Sequence, residues 1–219
     1  MRITHVALFL VLLSTAVWAS NGAFVTVQSL TADLKSRNID QIDKSLNDTK
    51  TMSYKGEILP FVLDLWEKRN DKHPRLPWDV VETNIVRVEL ADILLQAVKN
   101  RRLKLDSQPI HRFVSGLVDS DDPDVARKAI GALSIVDDEA DVDRIHNVAK
   151  GKDPATFRIA VVTLTHMCNR KAANAIAELE GSIAEPQFNS YIKQQRRDSE
   201  EFKNRAAWCD PARSDRGPK

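Results

Sequence analysis

Apolar positions in the second half of the chain recur at spacings of three and four residues, and the whole pattern occurs twice. The segment 122–133, Asp-Pro-Asp-Val-Ala-Arg-Lys-Ala-Ile-Gly-Ala-Leu, is matched 31 positions later by 153–164, Asp-Pro-Ala-Thr-Phe-Arg-Ile-Ala-Val-Val-Thr-Leu. The later parts of the two units also match at this offset, as in Val142 with Ala173 and Ile145 with Ile176. A fixed period of this size predicts stacked helical units.

Each unit carries the signals of a helix start. Asp122 and Asp153 are predicted N-caps, whose carboxylates accept from the free amides of the first turn. Pro123 and Pro154 follow at the first helical position, where the missing N–H costs nothing. Because one helix pair cannot bury its apolar face alone, we expect neighbouring units to stack and supply the core.

The rest of the chain is predicted to follow the same plan less regularly. We expect four helix pairs, at 28–69, 78–119, 122–150 and 153–182, with 78–100 as one long helix. Pro60 indicates either a helix that begins near Leu59 or a kinked one. The chain then divides into a leader (1–19), a helical repeat domain (20–184), a charged capping helix (185–205) and a tail expected to be disordered (206–219).

The run Asp-Pro-x-Val-x-x-x-Ala-Ile-x-x-Leu, followed by an acidic turn and a second apolar helix, resembles HEAT-like repeats of the short phycobilisome-lyase type. The resemblance covers residues 107–183 and fades towards the N-terminus. It implies an all-α fold, an α-solenoid of about four HEAT-like helix pairs with a C-terminal capping helix. Such solenoids usually bind another macromolecule, although a minority of the wider family are enzymes or enzyme subunits, including bilin lyases and HEAT-like DNA glycosylases.

The first 19 residues have the pattern of a secretory signal peptide. A short polar start precedes an apolar run from Val6 to Val17, and the small residue Ala19 suits signal peptidase. The alternative is an uncleaved membrane anchor, but the run is shorter than the roughly 20 residues that a spanning helix needs. We therefore expect a secreted or periplasmic protein with no stable membrane anchor after cleavage.

The balance of charges argues against nucleic acid as the partner. Cleavage after Ala19 removes Arg2 and leaves 31 basic and 31 acidic residues. Nucleic-acid-binding domains usually show a basic excess. Glycine and aromatic residues are also scarce, with 7 glycines in 219 residues, which suits an all-α protein.

No pattern for catalysis or for a cofactor stands out. The histidines do not form a His-x-x-x-His pair, so we interpret them as ordinary surface or groove residues and predict no metal site. Cys168 follows His166 closely, but a catalytic dyad requires contact in space rather than in sequence. Since Gly-rich phosphate loops and Gly-x-Ser-x-Gly are also absent, we predict no catalytic residue and no cofactor.

The chain contains two cysteines, Cys168 and Cys209. In an exported protein an even number permits a disulfide, and two cysteines allow one pairing. A bond would tie the C-terminal tail over the last repeat. The alternative, one buried and one free thiol, stays open at this point.

Binding to another protein is the function that we expect. In HEAT-like stacks the second helix of each pair lines the concave groove, and the outward polar positions there are candidate contacts: Arg112, Arg144, His146, Lys171, Asn174 and Glu178. Aromatic anchors would be expected at any hot spot, so Trp66, Trp78 and Trp208 are further candidates. The expected function is that of an exported, non-catalytic scaffold, and the alternative is an enzyme or enzyme subunit related to lyase-type HEAT proteins.

Overall fold

The computed structural model of the protein describes residues 25–51, 57–68, 75–151, 153–182 and 186–205. Every regular element in these ranges is an α-helix, which confirms the predicted all-α class. The eleven helices of the described ranges are α1 (Val27–Ser36), α2 (Ile39–Thr51), α3 (Ile58–Trp66), α4 (Trp78–Val81), α5 (Asn84–Lys99), α6 (Gln108–Gly116), α7 (Pro123–Val136), α8 (Glu139–Gly151), α9 (Pro154–His166), α10 (Arg170–Ser182) and α11 (Pro186–Arg205).

The helices α2 to α11, apart from α4, divide into two groups, which we call the first and second rows. In the first row, α2, α5, α7, α9 and α11 each pack against the next. The second row comprises α3, α6, α8 and α10, where α3 packs on α5, α6 on α7, α8 on α9 and α10 on both α9 and α11. Neighbouring second-row helices α8 and α10 also contact each other. The first-row helices α5, α7, α9 and α11 thus each contact at least one second-row helix.

The helix starts of the repeated segment are formed as the sequence predicts. The Asp122 carboxylate accepts from the amide of Asp124 at 2.9 Å and from that of Val125 at 3.4 Å. Asp153 accepts in the same way from Ala155 at 2.9 Å and Thr156 at 3.1 Å. Both N-cap residues are followed by proline at the first helical position. Both predicted N-caps are therefore confirmed.

Small residues allow α7 and α9 to approach closely. Ala129 and Ala160, which are equivalent in the repeat, are both fully buried. The Thr163 hydroxyl on α9 donates to the backbone carbonyl of Ile130 on α7 at 3.2 Å. The core is mainly aliphatic, and each fully buried leucine or isoleucine contributes about 1.5–3 kcal/mol.

The alignment of the second helices fails at one position. Val142 is buried, but Ala173, which is 31 residues later, is exposed. The preceding residue, Ala172, is the buried one on α10. A methyl group gains little from burial compared with a valine side chain, so the period does not fix which alanine faces inward.

The long helix predicted over 78–100 is wrong in one respect, because the structure breaks it into α4 and α5. Thr83 lies between them with extended backbone (φ −59°, ψ 143°). Its hydroxyl donates to the carbonyl of Val80 at 2.7 Å, and such a local bond offers the backbone an alternative to the helix. Pro60, by contrast, lies in the first turn of α3, as one of the two predicted arrangements requires.

The C-terminal helix α11 occupies 186–205, where the charged capping helix is predicted, and it packs on α9 and α10. Ile192 is fully buried, and the ring of Phe188 lies edge-to-face on that of Phe157 with centroids 4.7 Å apart. A few apolar side chains therefore attach a largely polar helix to the end of the stack.

The predicted leader (1–19) and the predicted disordered tail (206–219) lie outside the described residues. Within the part of the chain that the structure describes, no helix has both the length and the hydropathy needed to cross a bilayer.

Candidate functional site

The candidate contact residues predicted from the sequence all lie on second-row helices. Arg112 belongs to α6, and α8 and α10 carry the other five: Arg144, His146, Lys171, Asn174 and Glu178. The structure brings several of them together across helix boundaries. Lys171 forms an ion pair with Asp143 at 2.7 Å, and Nε2 of His146 lies 3.7 Å from the Glu178 carboxylate.

Arg144 extends this arrangement from α8 towards α6. Its guanidinium lies 3.2 Å from the Asp119 carboxylate and donates to the backbone carbonyl of Ser115 at 2.7 Å. We call the two ion pairs Asp119–Arg144 and Asp143–Lys171 the ion-pair ladder. Exposed pairs of this kind contribute about 0–1 kcal/mol each, so the ladder mainly fixes the orientation of its side chains.

Two of the candidates remain unengaged. Arg112 and Asn174 are exposed, and neither side chain makes a hydrogen bond or ion pair with other residues of the described ranges. These two side chains present their polar groups to solvent at opposite ends of the ladder. They are therefore the candidates best placed to contact a partner without breaking an internal bond.

His146 is less accessible than the sequence indicates. It is 8 % exposed, and Nε2 is buried without a hydrogen-bond partner, because 3.7 Å to Glu178 is too long for a hydrogen bond. Burial, together with the nearby Lys150, lowers the pKa of His146, and the carboxylates of Glu178 and Asp143 oppose this only in part. The neutral imidazole is thus favoured in the folded chain.

A second buried histidine, His111, belongs to a polar cluster that the sequence analysis missed. Its Nε2 donates to a carboxylate oxygen of Asp141 at 2.6 Å, and the other oxygen of Asp141 accepts from the Ser115 hydroxyl at 2.7 Å. His111 and Asp141 are 7 % and 4 % exposed. The partly exposed Asp138 completes the cluster, with Oδ2 3.9 Å from Nδ1 of His111.

The repeat itself contains the signal for this cluster. Asp141 occupies the position that Ile110 has 31 residues earlier and Ala172 has 31 residues later, and all three are buried. A charged residue at a position that the repeat assigns to the core requires a polar partner. The interpretation of the histidines as ordinary surface or groove residues is therefore wrong for His111 and His146, which are both buried.

A network of charges also crosses the first row. The Glu89 carboxylate on α5, with a side chain 2 % exposed, lies 2.5 Å from Lys50 on α2 and 2.5 Å from Lys128 on α7. Lys50 also pairs with Asp92 at 2.9 Å, and Lys128 with Asp43 at 2.6 Å. This network of two lysines and three carboxylates thus links α2, α5 and α7, which follow one another in the first row.

The pKa values of both lysines reflect these partners. Burial alone would lower the pKa of Lys50, but Asp92 and Glu89 more than offset it and raise the pKa above the usual 10.5. The pKa of Lys128 is raised in the same way, where Asp43 and Glu89 outweigh the effect of burial. Both lysines stay charged at neutral pH, and we interpret this network as structural.

Two of the three predicted aromatic anchors, Trp66 and Trp78, lie in the described ranges, and both are partly buried. The Trp66 ring lies edge-to-face on Phe113 with centroids 5.3 Å apart, and the Arg87 guanidinium stacks 3.8 Å from the Trp66 centroid. Trp78 is half-buried, with its indole nitrogen enclosed and without a hydrogen-bond partner. Trp208 lies outside the described residues. Trp66 is thus a packing residue between α3 and α6 rather than a free anchor.

The two residues considered for nucleophilic chemistry do not form a dyad. Nδ1 of His166 lies 2.8 Å from the backbone carbonyl of Val162, and the sulfur of Cys168 takes part in a disulfide. A disulfide sulfur carries no thiolate and is not a nucleophile of the kind that a dyad activates. Cys209 lies outside the described residues, so its pairing with Cys168 stays a prediction.

The backbone around Cys168 is held to the preceding unit. One carboxylate oxygen of Asp137 accepts from the amide of Cys168 at 2.9 Å and from the side chain of Asn169 at 2.8 Å. Asp137 itself ends α7 in the left-handed conformation (φ 59°), which aspartate tolerates better than most residues. The turn after α7 thereby fixes the turn after α9.

No protein-family model matches the chain, and no curated protein and no solved structure shows significant similarity to it. The class that the structure itself defines is therefore broad: an all-α protein whose described helices pack against one another.

Proposed function

We propose that this chain is an exported, non-catalytic scaffold of the HEAT-like solenoid type, which binds another protein on the exposed face of its second-row helices. The proposal is supported by the successive packing of α5, α7 and α9 under α6, α8 and α10. A chain of helix pairs that contact only their neighbours is the arrangement expected of a helical repeat protein. Export rests on the leader pattern of residues 1–19.

The observation that carries the proposal is the ion-pair ladder. Asp119–Arg144 connects the turn after α6 to α8, and Asp143–Lys171 connects α8 to α10, with most of these side chains half-exposed. Since each pair adds little stability, its main effect is to hold polar groups in fixed positions over three helices. A rigid polar surface loses little conformational entropy when it binds, which favours specific recognition.

The proposal is tested by site-specific photocrosslinking in the organism that produces the protein. A photoreactive residue replaces exposed Asn147 on α8 or Asn174 on α10, and the control replaces exposed Lys44 on α2 in the first row. We expect one protein to be crosslinked from both 147 and 174 but not from 44. Equal crosslinking from all three positions, or no adduct from 147 and 174, would refute the proposal.

Charge reversal then measures how much the surface contributes. Arg112→Glu is expected to weaken binding of the crosslinked partner by at least tenfold, because hot-spot arginines commonly contribute more than 1 kcal/mol. Lys44→Glu makes the same change of charge in the first row and should leave the affinity unchanged. The proposal predicts a difference between these two variants, whichever protein the partner is.

A further inference from the structure

The cluster of His111, Asp138 and Asp141 leaves one polar atom of a buried side chain without a partner. The His111 side chain is 9 % exposed, and its Nε2 is used by Asp141. Nδ1 makes no hydrogen bond within the described residues, and the nearest carboxylate oxygen, Oδ2 of Asp138, is 3.9 Å away. That separation is too long for a hydrogen bond.

The His111 ring and the Asp138 carboxylate are each held in place by a hydrogen bond on the side that faces away from the other. Asp141 accepts from Nε2–H of His111 and from the Ser115 hydroxyl, which fixes the ring and selects the tautomer with a lone pair on Nδ1. The other oxygen of Asp138, Oδ1, accepts from the amide of Ala140 at 2.9 Å. Oδ2 of Asp138 therefore stays available, with its carboxylate anchored at the start of α8.

This geometry matches a metal ligand pair with its supporting residues. Zinc binds histidine nitrogen and carboxylate oxygen at about 2.0–2.2 Å in tetrahedral geometry, so Nδ1 and Oδ2 need to close from 3.9 Å to about 3.4 Å to share one ion. The 2.6 Å between Nε2 and Asp141 leaves no room for an ion on that side. A histidine that binds zinc commonly donates its other N–H to a carboxylate, as His111 does to Asp141.

We propose that Nδ1 of His111 and the Asp138 carboxylate bind a divalent transition-metal ion such as Zn²⁺, with Asp141 and Ser115 orienting the imidazole. The imidazole ligand favours Zn²⁺, Co²⁺ or Ni²⁺ over Mg²⁺ and Ca²⁺, which prefer oxygen. Asp138 is 39 % exposed in its side chain, which gives the ion access and leaves the remaining coordination positions to water.

The surrounding charges are compatible with a cation. Asp138 and Asp141 contribute two negative charges, and the positive charge of Arg144, which lies 3.2 Å from the Ser115 hydroxyl, is paired with Asp119. Two direct protein ligands are fewer than the three of zinc enzymes, so this site is expected to be weaker than theirs. Binding there would join α6 to the turn between α7 and α8.

The test uses the full-length chain without a polyhistidine tag, freed of metal by chelation and titrated calorimetrically with Zn²⁺. The variant Asp138→Asn keeps a side-chain oxygen that accepts from the Ala140 amide, so it removes the charge of the metal ligand but not this hydrogen bond. Asp121→Asn is the matched control, because Asp121 is an exposed carboxylate in a turn of the same chain, just before α7. Folding of each variant is checked by its circular dichroism spectrum.

We expect one Zn²⁺ per chain that is lost with His111→Ala, at least tenfold weaker binding by Asp138→Asn and unchanged binding by Asp121→Asn. Asp141→Asn should weaken binding by about 10–100-fold, the usual effect of changing a residue that orients a zinc-bound histidine. Co²⁺ provides a spectroscopic check, since its visible absorption reports bound imidazole. Absence of binding at millimolar Zn²⁺, or equal binding by wild type and Asp138→Asn, would overturn the proposal.

Discussion

Replacement of Glu89 by glutamine tests how far the buried charge network holds the first row together. The change keeps the shape of the side chain but removes the negative charge between Lys50 and Lys128, both 2.5 Å away. Each lysine retains a second carboxylate, Asp92 or Asp43. The variant therefore leaves two cations less well compensated rather than isolated.

The expected loss follows from the exposure of the partners. Removing one member of a fully buried ion pair costs about 3–5 kcal/mol. The lysine side chains here are 15 % and 26 % exposed, and each keeps one partner, so we expect about 2–3 kcal/mol for Glu89→Gln. At about 2–4 °C per kcal/mol for a chain of this size, the melting temperature should fall by about 5–10 °C.

Urea unfolding followed by circular dichroism at 222 nm measures this loss. Asp79→Asn is the control, because it breaks the exposed Arg37–Asp79 pair (2.8 Å) and should cost less than about 1 kcal/mol. In a Lys128→Met background the same Glu89→Gln change should cost less, since one of the two stranded cations is gone. A loss no greater than that of Asp79→Asn would refute the role assigned to the network.

Three further predictions follow from the structure. Because folding lowers the pKa of His146, protonation of this residue opposes folding, and the stability present above pH 6.5 should be lost as the pH falls towards the lowered pKa. The His146→Gln variant should therefore show a smaller drop in melting temperature between pH 7 and pH 5 than wild type. An identical drop in the two proteins would contradict this. Asp122→Ala removes the cap of α7 and should cost about 1 kcal/mol in urea unfolding, whereas Asp122→Asn should cost less. Thiol titration of the denatured, unreduced protein should find no free thiol if Cys168 and Cys209 pair, and two thiols per chain would exclude the bond.

The local features of the fold were predictable because they depend on residues close in sequence. The N-cap bonds of Asp122 and Asp153 reach only two or three residues ahead, so the Asp-Pro motif is enough to place two helix starts. The break at Thr83 was missed although it is also local. The apolar spacing runs through it, and the bond from the Thr83 hydroxyl to Val80 has no distinctive pattern.

The candidate site was predictable only in part. The positions of Arg144 and Lys171 on second helices follow from the period, but their carboxylate partners Asp119 and Asp143 depend on which helices become neighbours. Residues 30 positions apart, such as His111 and Asp141, meet because α6 and α8 follow each other in the second row. A search for histidine pairs at helical spacing does not detect such a contact, although the misplaced charge of Asp141 in the repeat does.

The sequence by itself determined the helical class and the starts of the repeated helices, since hydrophobic period and capping act within a few residues. Only the tertiary structure decided which polar groups are buried together, because each such contact joins side chains from different helices. Burial of Glu89 between Lys50 and Lys128, and of His111 against Asp141, depends on the distances and angles between packed helices. The partners in these contacts lie 30 and 39 positions apart in the sequence, so no single helix contains both members of a pair.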